Sequence, residues 1–291
     1  MPMLSGMNLR NLLKRLPIER LRHPPPLVAV LRLEGVIGPR QWRGALSLAS
    51  HAAALDRAFA VPDLAAVALA INSPGGSPVQ SALLFRRIRQ LAEEKGVAVL
   101  AFAEDVAASG GYWLALAGDE IFAEESSILG SIGVVSSGFG FARVLDRLGI
   151  ERRLHTAGSR KSLLDPFLPE DPSDVERLHA LQQDIHRTFQ NEVRRRRAGK
   201  LDPADESLFT GDILTGRAAV ERGLIDGIGD LRGTVRARYG EKVRLLPIAT
   251  ERRRFPLLPR RRRFVESDPL GLVTDLLGWI EARLLWARFG L

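Results

Sequence analysis

The chain has 291 residues, enough to bury a full core, and no cysteine, which excludes disulfides, thiol catalysis and thiolate metal sites. Its longest apolar stretches, such as Val97 to Ala103, fall far short of the roughly 18 residues a membrane-spanning helix needs. The net charge of +8 sits at the ends, five basic against one acidic residue in 1–26 and 14 against six in 231–291, and the mildly acidic middle argues against a nucleic-acid groove.

From Met1 to Arg22, Leu4, Leu9, Leu12, Leu13 and Leu16 interleave with Arg10, Lys14, Arg15 and Arg20 in a short basic amphipathic pattern. It has no small-residue cleavage site and is not read as a secretory signal. Pro24-Pro25-Pro26 breaks the pattern, and ordered structure is expected to begin at the strand Leu27 to Leu33. Val67 to Ile71 reads as a buried strand, ended by Asn72-Ser73-Pro74-Gly75-Gly76 and followed by a helix from about Val79 to Glu94. A further strand, Val97 to Phe102, leads to Ala108-Ser109-Gly110-Gly111-Tyr112-Trp113 and an apolar helix through Leu116. Strands alternating with helices imply parallel pairing with helices packed outside, so the expected class is α/β.

Glu120 to Ala123 is strand-like, and a glycine-punctuated run, Ile128 to Val135, precedes the segment Ala157-Gly158-Ser159-Arg160-Lys161-Ser162. Ser173-Asp174-Val175-Glu176 has capping-box spacing. It predicts a long helix with Val175, Leu178, Leu181, Ile185 and Phe189 on one face and Gly199 as its stop. Arg194 to Arg197 then falls in the last turn, where a solvated helix end is expected. Past Asp230 come Arg252-Arg253-Arg254, Arg260 to Arg263, and an apolar–polar segment from Leu270 to Leu291 with Trp279 and Trp286. That last piece suits an interfacial helix, and equally a helix packed on the core or on another subunit. The expected organisation is a basic N-terminal segment, 1–26, a catalytic domain, 27–231, and a basic C-terminal extension, 232–291.

A hydroxyl at a small-residue turn and an amine fifty residues on suggest a Ser/Lys dyad of Ser109 and Lys161. Serine is a weak nucleophile until a base removes its proton, and an amine serves when its surroundings hold it neutral. Leu163, Leu164 and Phe167 beside Lys161 suggest partial burial. Ser109 is expected just after a strand and at a helix start, where backbone amides are free. The turn at Gly75-Gly76 stands in the same relation to the next helix, so the amides of Gly76 and Gly110 would form an oxyanion hole if adjacent strands bring the turns together. Among rival bases, His155 with Asp165 makes a weaker set, and His179 and His186, seven residues apart on one helix face, are too distant to share a metal. Gly-Ser-Arg-Lys-Ser lacks the glycines of a nucleotide-binding loop. No cofactor or metal is expected.

Taken in order, Asn72 to Gly76, Ala107 to Tyr112, Gly130-Ser131-Ile132-Gly133-Val134, Ala157 to Ser162, and the later Gly216-Arg217, Ala218-Ala219 and Gly223-Leu224-Ile225-Asp226 resemble the signal peptide peptidase family of serine proteases, the SppA/SohB type. The resemblance covers about residues 27 to 231. It implies a ClpP/crotonase-like fold of repeated ββα units forming a spiral core, here with helical extensions, and a Ser/Lys dyad. By motif, Ser109 is the nucleophile, Lys161 the general base, Ser131 the hydroxyl that orients the lysine, and Gly76 and Gly110 the oxyanion donors. It also implies homo-oligomeric rings or domes whose active sites are often completed or enclosed between subunits. Peptide or protein substrates in or near the membrane are expected, and activity should rise with pH as the lysine loses its proton.

The family's N-terminal transmembrane anchor has no counterpart in this sequence. The basic ends suggest peripheral attachment to the anionic bacterial inner membrane, on its cytoplasmic face, with the periplasmic face as the other option. Two other classes of function are open to this sequence, a crotonase-like acyl-CoA enzyme and a catalytically silent membrane-surface scaffold.

Overall fold

The computed structural model describes residues 24–39, 45–158, 160–250, 280 and 283–290. The basic amphipathic N-terminal pattern, Ser159, the arginine runs at 252–254 and 260–263 and most of the closing apolar–polar segment lie outside the described residues.

Three strand–helix units open the fold: β1 (Leu27–Glu34), α1 (Leu48–Phe59), β2 (Leu64–Ser73), α2 (Pro78–Lys95), β3 (Ala98–Ala108) and α3 (Gly110–Ala115). β1, β2 and β3 pair in parallel, as the alternation predicts. Each helix has local reasons to start and stop where it does. Ser47 and Ser50 form a reciprocal capping box at α1, and Ser77 caps α2 with Pro78 in its first turn. Gly96 closes α2 in the left-handed conformation at φ +61°. Leu55 and Phe59 of α1 and Leu84, Ile88 and Leu91 of α2 are buried with Leu31, Leu69, Val99 and Ala101 of the strands. Burying each such leucine or isoleucine stabilises the fold by roughly 2 kcal/mol.

After α3 the chain adds β4 (Glu120–Ala123), β5 (Ile128–Gly130), a short helix α4 (Ala142–Arg147) and the long helix α5 (Pro172–Arg196). β6 (Ile213–Thr215), α6 (Gly216–Glu221), β7 (Gly227–Ile228), α7 (Leu231–Tyr239) and β8 (Arg244–Ile248) follow. The sheet order is β6-β5-β3-β2-β1-β8, with β4 and β7 branching from β3. β3 serves two partners on one side: Leu100 to Ala103 pair with β4, and Val106 to Ala108 pair with β5. Among the described strands only β5–β6 is antiparallel. The second sheet face buries Val28, Ala68, Leu100 and Phe102 under Val235 of α7. The sheet runs past residue 231, since β8 pairs with β1 from Leu27 to Leu31.

Three expectations for α5 differ from what is observed. The helix is capped by Asp171, whose side chain accepts from the Ser173 amide, rather than by Ser173, because Pro172 is preorganised for the first helical position. Its arginine run is also only partly solvated: Arg195 is exposed, but the last two arginines turn inward. Arg196 donates to the Leu116 and Gly118 carbonyls, and Arg197 is 2% exposed, bonded to the Gly223 carbonyl and to Asp226 at 2.7 Å. Of the predicted apolar face only Phe189 is buried, stacked on Trp113 at 4.6 Å, while Leu181 and Ile185 are exposed.

Candidate active site

Between the end of β3 and the first residue of α3 stands one residue, Ser109. It makes the turn at φ +52° and ψ −120°, which costs a residue bearing a Cβ of order 1–3 kcal/mol. Its amide donates to the Gly130 carbonyl at 2.8 Å, and its carbonyl accepts from the Trp113 amide at 3.0 Å. A serine at a helix N-cap ordinarily turns its hydroxyl onto the helix amides, but the Ser109 side chain makes no capping bond. The hydroxyl is left uncommitted by the helix it precedes. Tyr112, three residues on, donates to the Leu224 carbonyl at 2.7 Å and is fully buried, which pushes its phenol well above the usual value.

The turn after β2 meets this one. A Cβ on Gly75 would stand 2.8 Å from the Ser109 Cβ and 2.9 Å from the Gly110 nitrogen, and a Cβ on Gly110 would stand 3.4 Å from the Gly76 nitrogen. The structure therefore brings Gly76, Ser109 and Gly110 into one place. Ile37 donates to the Gly75 carbonyl and accepts from the Ser77 amide, both at 2.8 Å, so the intervening Gly76 amide faces away from that ladder. The Gly110 amide is the first of α3 and precedes its i→i−4 bonds. Both donors are thus available to a ligand beside Ser109. Gly76 has φ +137°, and a Cβ there would fall 2.0 Å from the Ile37 oxygen. Gly76→Ala must displace this turn, and with the Gly76 amide read as an oxyanion donor the expected loss is about 10²–10³ in kcat. Steady-state kinetics on the folded variant should show that loss mainly in kcat.

Sequence reasoning missed the residues that fix the turn. Ser73 is buried, its hydroxyl donating to the Gly35 carbonyl at 2.7 Å and accepting from the Gly75 amide at 3.2 Å. Asn72 bridges the strands, donating to Asp105 at 2.6 Å and accepting from the Val106 amide at 3.2 Å. A serine two positions before a glycine pair is a turn signal that could have identified Ser73.

Ser131 follows the Gly130 carbonyl that holds Ser109, with φ +51° and its amide bonded to the Asp212 carbonyl at 2.7 Å. Lys161 is placed differently from expectation. It is exposed, not partly buried, and no hydrogen bond or ion pair among the described residues joins it to Ser109 or Ser131. The reason lies in the segment between β5 and α5, which leaves the sheet and turns Phe139, Val144, Leu148 and Ile150 to the outside. The segment has its own internal order. Phe141 donates to the Pro166 carbonyl at 2.6 Å, the Arg152 guanidinium lies 5.0 Å from the Phe167 ring centre, and Leu164 donates to Asp174 at 3.3 Å. Asp165 is the partner of Arg152, at 2.5 Å; that bond, with one from the Phe167 amide, holds its carboxyl below the usual value. His155 is exposed, and among the described residues no hydrogen bond or ion pair joins it to Asp165, which pairs with Arg152.

A groove of about 1110 Å³ opens on the sheet face floored by Val30, Ala70 and Phe102, and neither Ser109 nor Lys161 lines it. The reactive geometry is a meeting of two turns.

A family model described as Peptidase family S49 matches residues 91–243, more than half of the chain, and takes in Ser109, Ser131 and Lys161. The chain belongs to peptidase family S49. This S49 chain is 50% identical over 291 residues to a Brucella abortus (strain 2308) protein named Na(+)/H(+) antiporter NhaA, a match covering 97% of this chain and 39% of that protein. It is 32% identical over 221 residues to the Arabidopsis thaliana serine protease SPPA, chloroplastic, covering 76% of this chain and 31% of that one. The chain thus spans about two fifths or less of these relatives, and the antiporter name describes a protein more than twice as long. Among solved structures it resembles a mutant of the 1510-N membrane-bound stomatin-specific protease, with a TM-score of 0.47 and 16% identity over 79% of this chain and 96% of that one. The mixed α/β fold with its mostly parallel sheet is consistent with the ClpP/crotonase-like arrangement expected for S49. Among the described residues no helix is long and apolar enough to cross a membrane.

Proposed function

We propose that this S49 chain is an ATP-independent serine endopeptidase in which Ser109 is the nucleophile and Lys161 the general base. The observation that carries the reading is the contact of the Gly75-Gly76 turn with Ser109-Gly110, which sets two amides beside an uncommitted hydroxyl. Lys161 takes the Ser109 proton as the hydroxyl attacks the peptide carbonyl. The Gly76 and Gly110 amides hold the oxyanion, the proton passes to the leaving amine, and water repeats the sequence on the acyl-enzyme. Ser131 orients the lysine.

The exposed position of Lys161 supports a site completed in a homo-oligomer. A lysine serves as base when its surroundings hold it neutral, and the described residues of a single chain provide no cover for this one. The exposed apolar residues of the segment that carries it, Val135, Phe139, Leu148 and Ile150 among them, form the kind of surface that packs against another subunit. Mixing Ser109→Ala and Lys161→Ala chains tests this. If the lysine of one subunit serves the serine of its neighbour, assemblies mixed after dissociation regain labelling and turnover that neither variant has alone. No recovery in verified mixed assemblies would mean that each chain supplies its own base.

Membrane-derived peptides and membrane-associated proteins are the proposed substrates, met at the inner-membrane surface, on the cytoplasmic face, through the basic ends of the chain. The arginine-rich ends of the chain support a membrane setting. Co-sedimentation with anionic but not neutral vesicles, weakened by salt, is the expected result.

A further inference from the structure

We propose that His186 is a positioning residue for the Ser131 turn, braced by a polar ladder along one face of α5. His186, Gln190 and Arg194 follow at i, i+4 and i+8, so they stack on one side of the helix. Arg194 donates to Gln190 Oε1 at 3.3 Å, and the Gln190 amide nitrogen packs against the His186 ring, 3.2 Å from Nε2 and 3.4 Å from Nδ1. His186 Nε2 lies 3.0 Å from the Ile132 carbonyl oxygen. A carbonyl only accepts, so Nε2 is the donor in this bond. The link acts as a strut between α5 and the turn. Its far end is fixed by Arg194, which pairs with Glu206 at 3.0 Å and lies 4.2 Å from the Phe209 ring centre.

What the strut holds is a strained and strategic turn. Gly130 orients the Ser109 amide, Ser131 sits at positive φ, and the Gly133 amide closes the turn onto the Ser131 carbonyl at 2.9 Å. The Asp212 carbonyl secures Ser131 from the β6 side, and His186 secures Ile132 from the α5 side. Just beyond, the chain departs into the exposed segment that carries Lys161. The ionisable neighbours are His179, which shares a small cavity with His186, Val134, Gln182 and Gln183, and Asp212, whose carboxylate accepts from the Thr210 hydroxyl at 2.9 Å. None of them replaces the bond to Ile132.

The inference rests on the reading of Ser131 as the lysine's partner. The test is the rate at which a fluorophosphonate labels Ser109 between pH 6 and 10 in the parent, Ser131→Ala, His186→Ala and His186→Gln, each checked for a cooperative thermal transition. His186→Ala should move the alkaline limb by about one pH unit in the same direction as Ser131→Ala. His186→Gln, with an amide donor able to reach Ile132, should restore the parent's limb. If Ser131→Ala moves the limb while His186→Ala leaves it in place, the strut is overturned and the reading of Ser131 stands. If Ser131→Ala itself leaves the limb unmoved, that reading fails and the inference with it. Should His186→Ala not fold, Gln190→Leu removes the middle of the ladder and carries the same expectations.

Discussion

Ser109→Ala is expected to abolish fluorophosphonate labelling and to lower turnover by at least about 10⁴-fold, with the melting temperature little changed. The hydroxyl makes no capping bond, so its removal deprives α3 of nothing. The loss should fall almost entirely in kcat, because binding resides in the surrounding groups. Lys161→Ala should match the loss, since nucleophile and base act as a unit and their effects do not add. Mass spectrometry locating the adduct on Ser109 in the parent is the decisive measurement. An adduct elsewhere, or a Ser109→Ala variant with normal turnover, would sink the dyad and return the acyl-CoA and scaffold readings to the front.

The largest effect on stability is expected at Asp226. Its carboxylate takes bonds from Arg197 at 2.7 Å, from the Ile121 amide at 2.8 Å and from Lys200, joining the end of α5 to β4 and to the chain that supports Tyr112. Burial raises the carboxyl's pKa, but those bonds together outweigh it and hold the group below the usual carboxylate value. Asp226→Asn leaves Arg197 buried without its counter-charge, at a cost of about 3–5 kcal/mol by denaturant unfolding. Arg197→Met combined with Asp226→Leu should cost much less than the sum of the single changes, because an apolar pair leaves no buried charge. The pH dependence follows from the sign of the shift. A depressed carboxyl stabilises above its unfolded value, and the contribution is lost as pH falls through the lower folded one. The Asp226→Asn variant should therefore lose less stability on acidification than the parent.

The strands and the positions of the turns were legible because both are local. An apolar run ending in Ser-Pro-Gly-Gly, and another ending in Ser-Gly-Gly, each declare a strand turning tightly into a helix. Parallel neighbours then place the two turns side by side. What sequence hid was pairing across distance. Four consecutive arginines read as a solvated helix end, yet Arg197 finds Asp226 twenty-nine residues on and is drawn inside. Asp165 stands near His155 in sequence and near Arg152 in space. Lys161 has leucines beside it, which suggested cover, but its segment leaves the sheet, so Leu163 and Phe167 are exposed with it. His186 carried no motif, since its acceptor is a backbone carbonyl fifty-four residues earlier.

β1 lies between β2 and β8, with Leu27 opposite Leu64 on one flank and Arg244 on the other. A ribosome adding roughly 5–20 residues per second delivers the first flank within seconds and the second only tens of seconds later. Throughout that interval the nascent chain carries an open parallel edge beside Val28, Val30 and Leu31, a template for pairing with any extended segment nearby. Chains halted before Arg244 should collect as aggregates that the finished protein does not form. For this fold the hazardous period is synthesis itself, and for the β1 edge it ends only when β8 arrives.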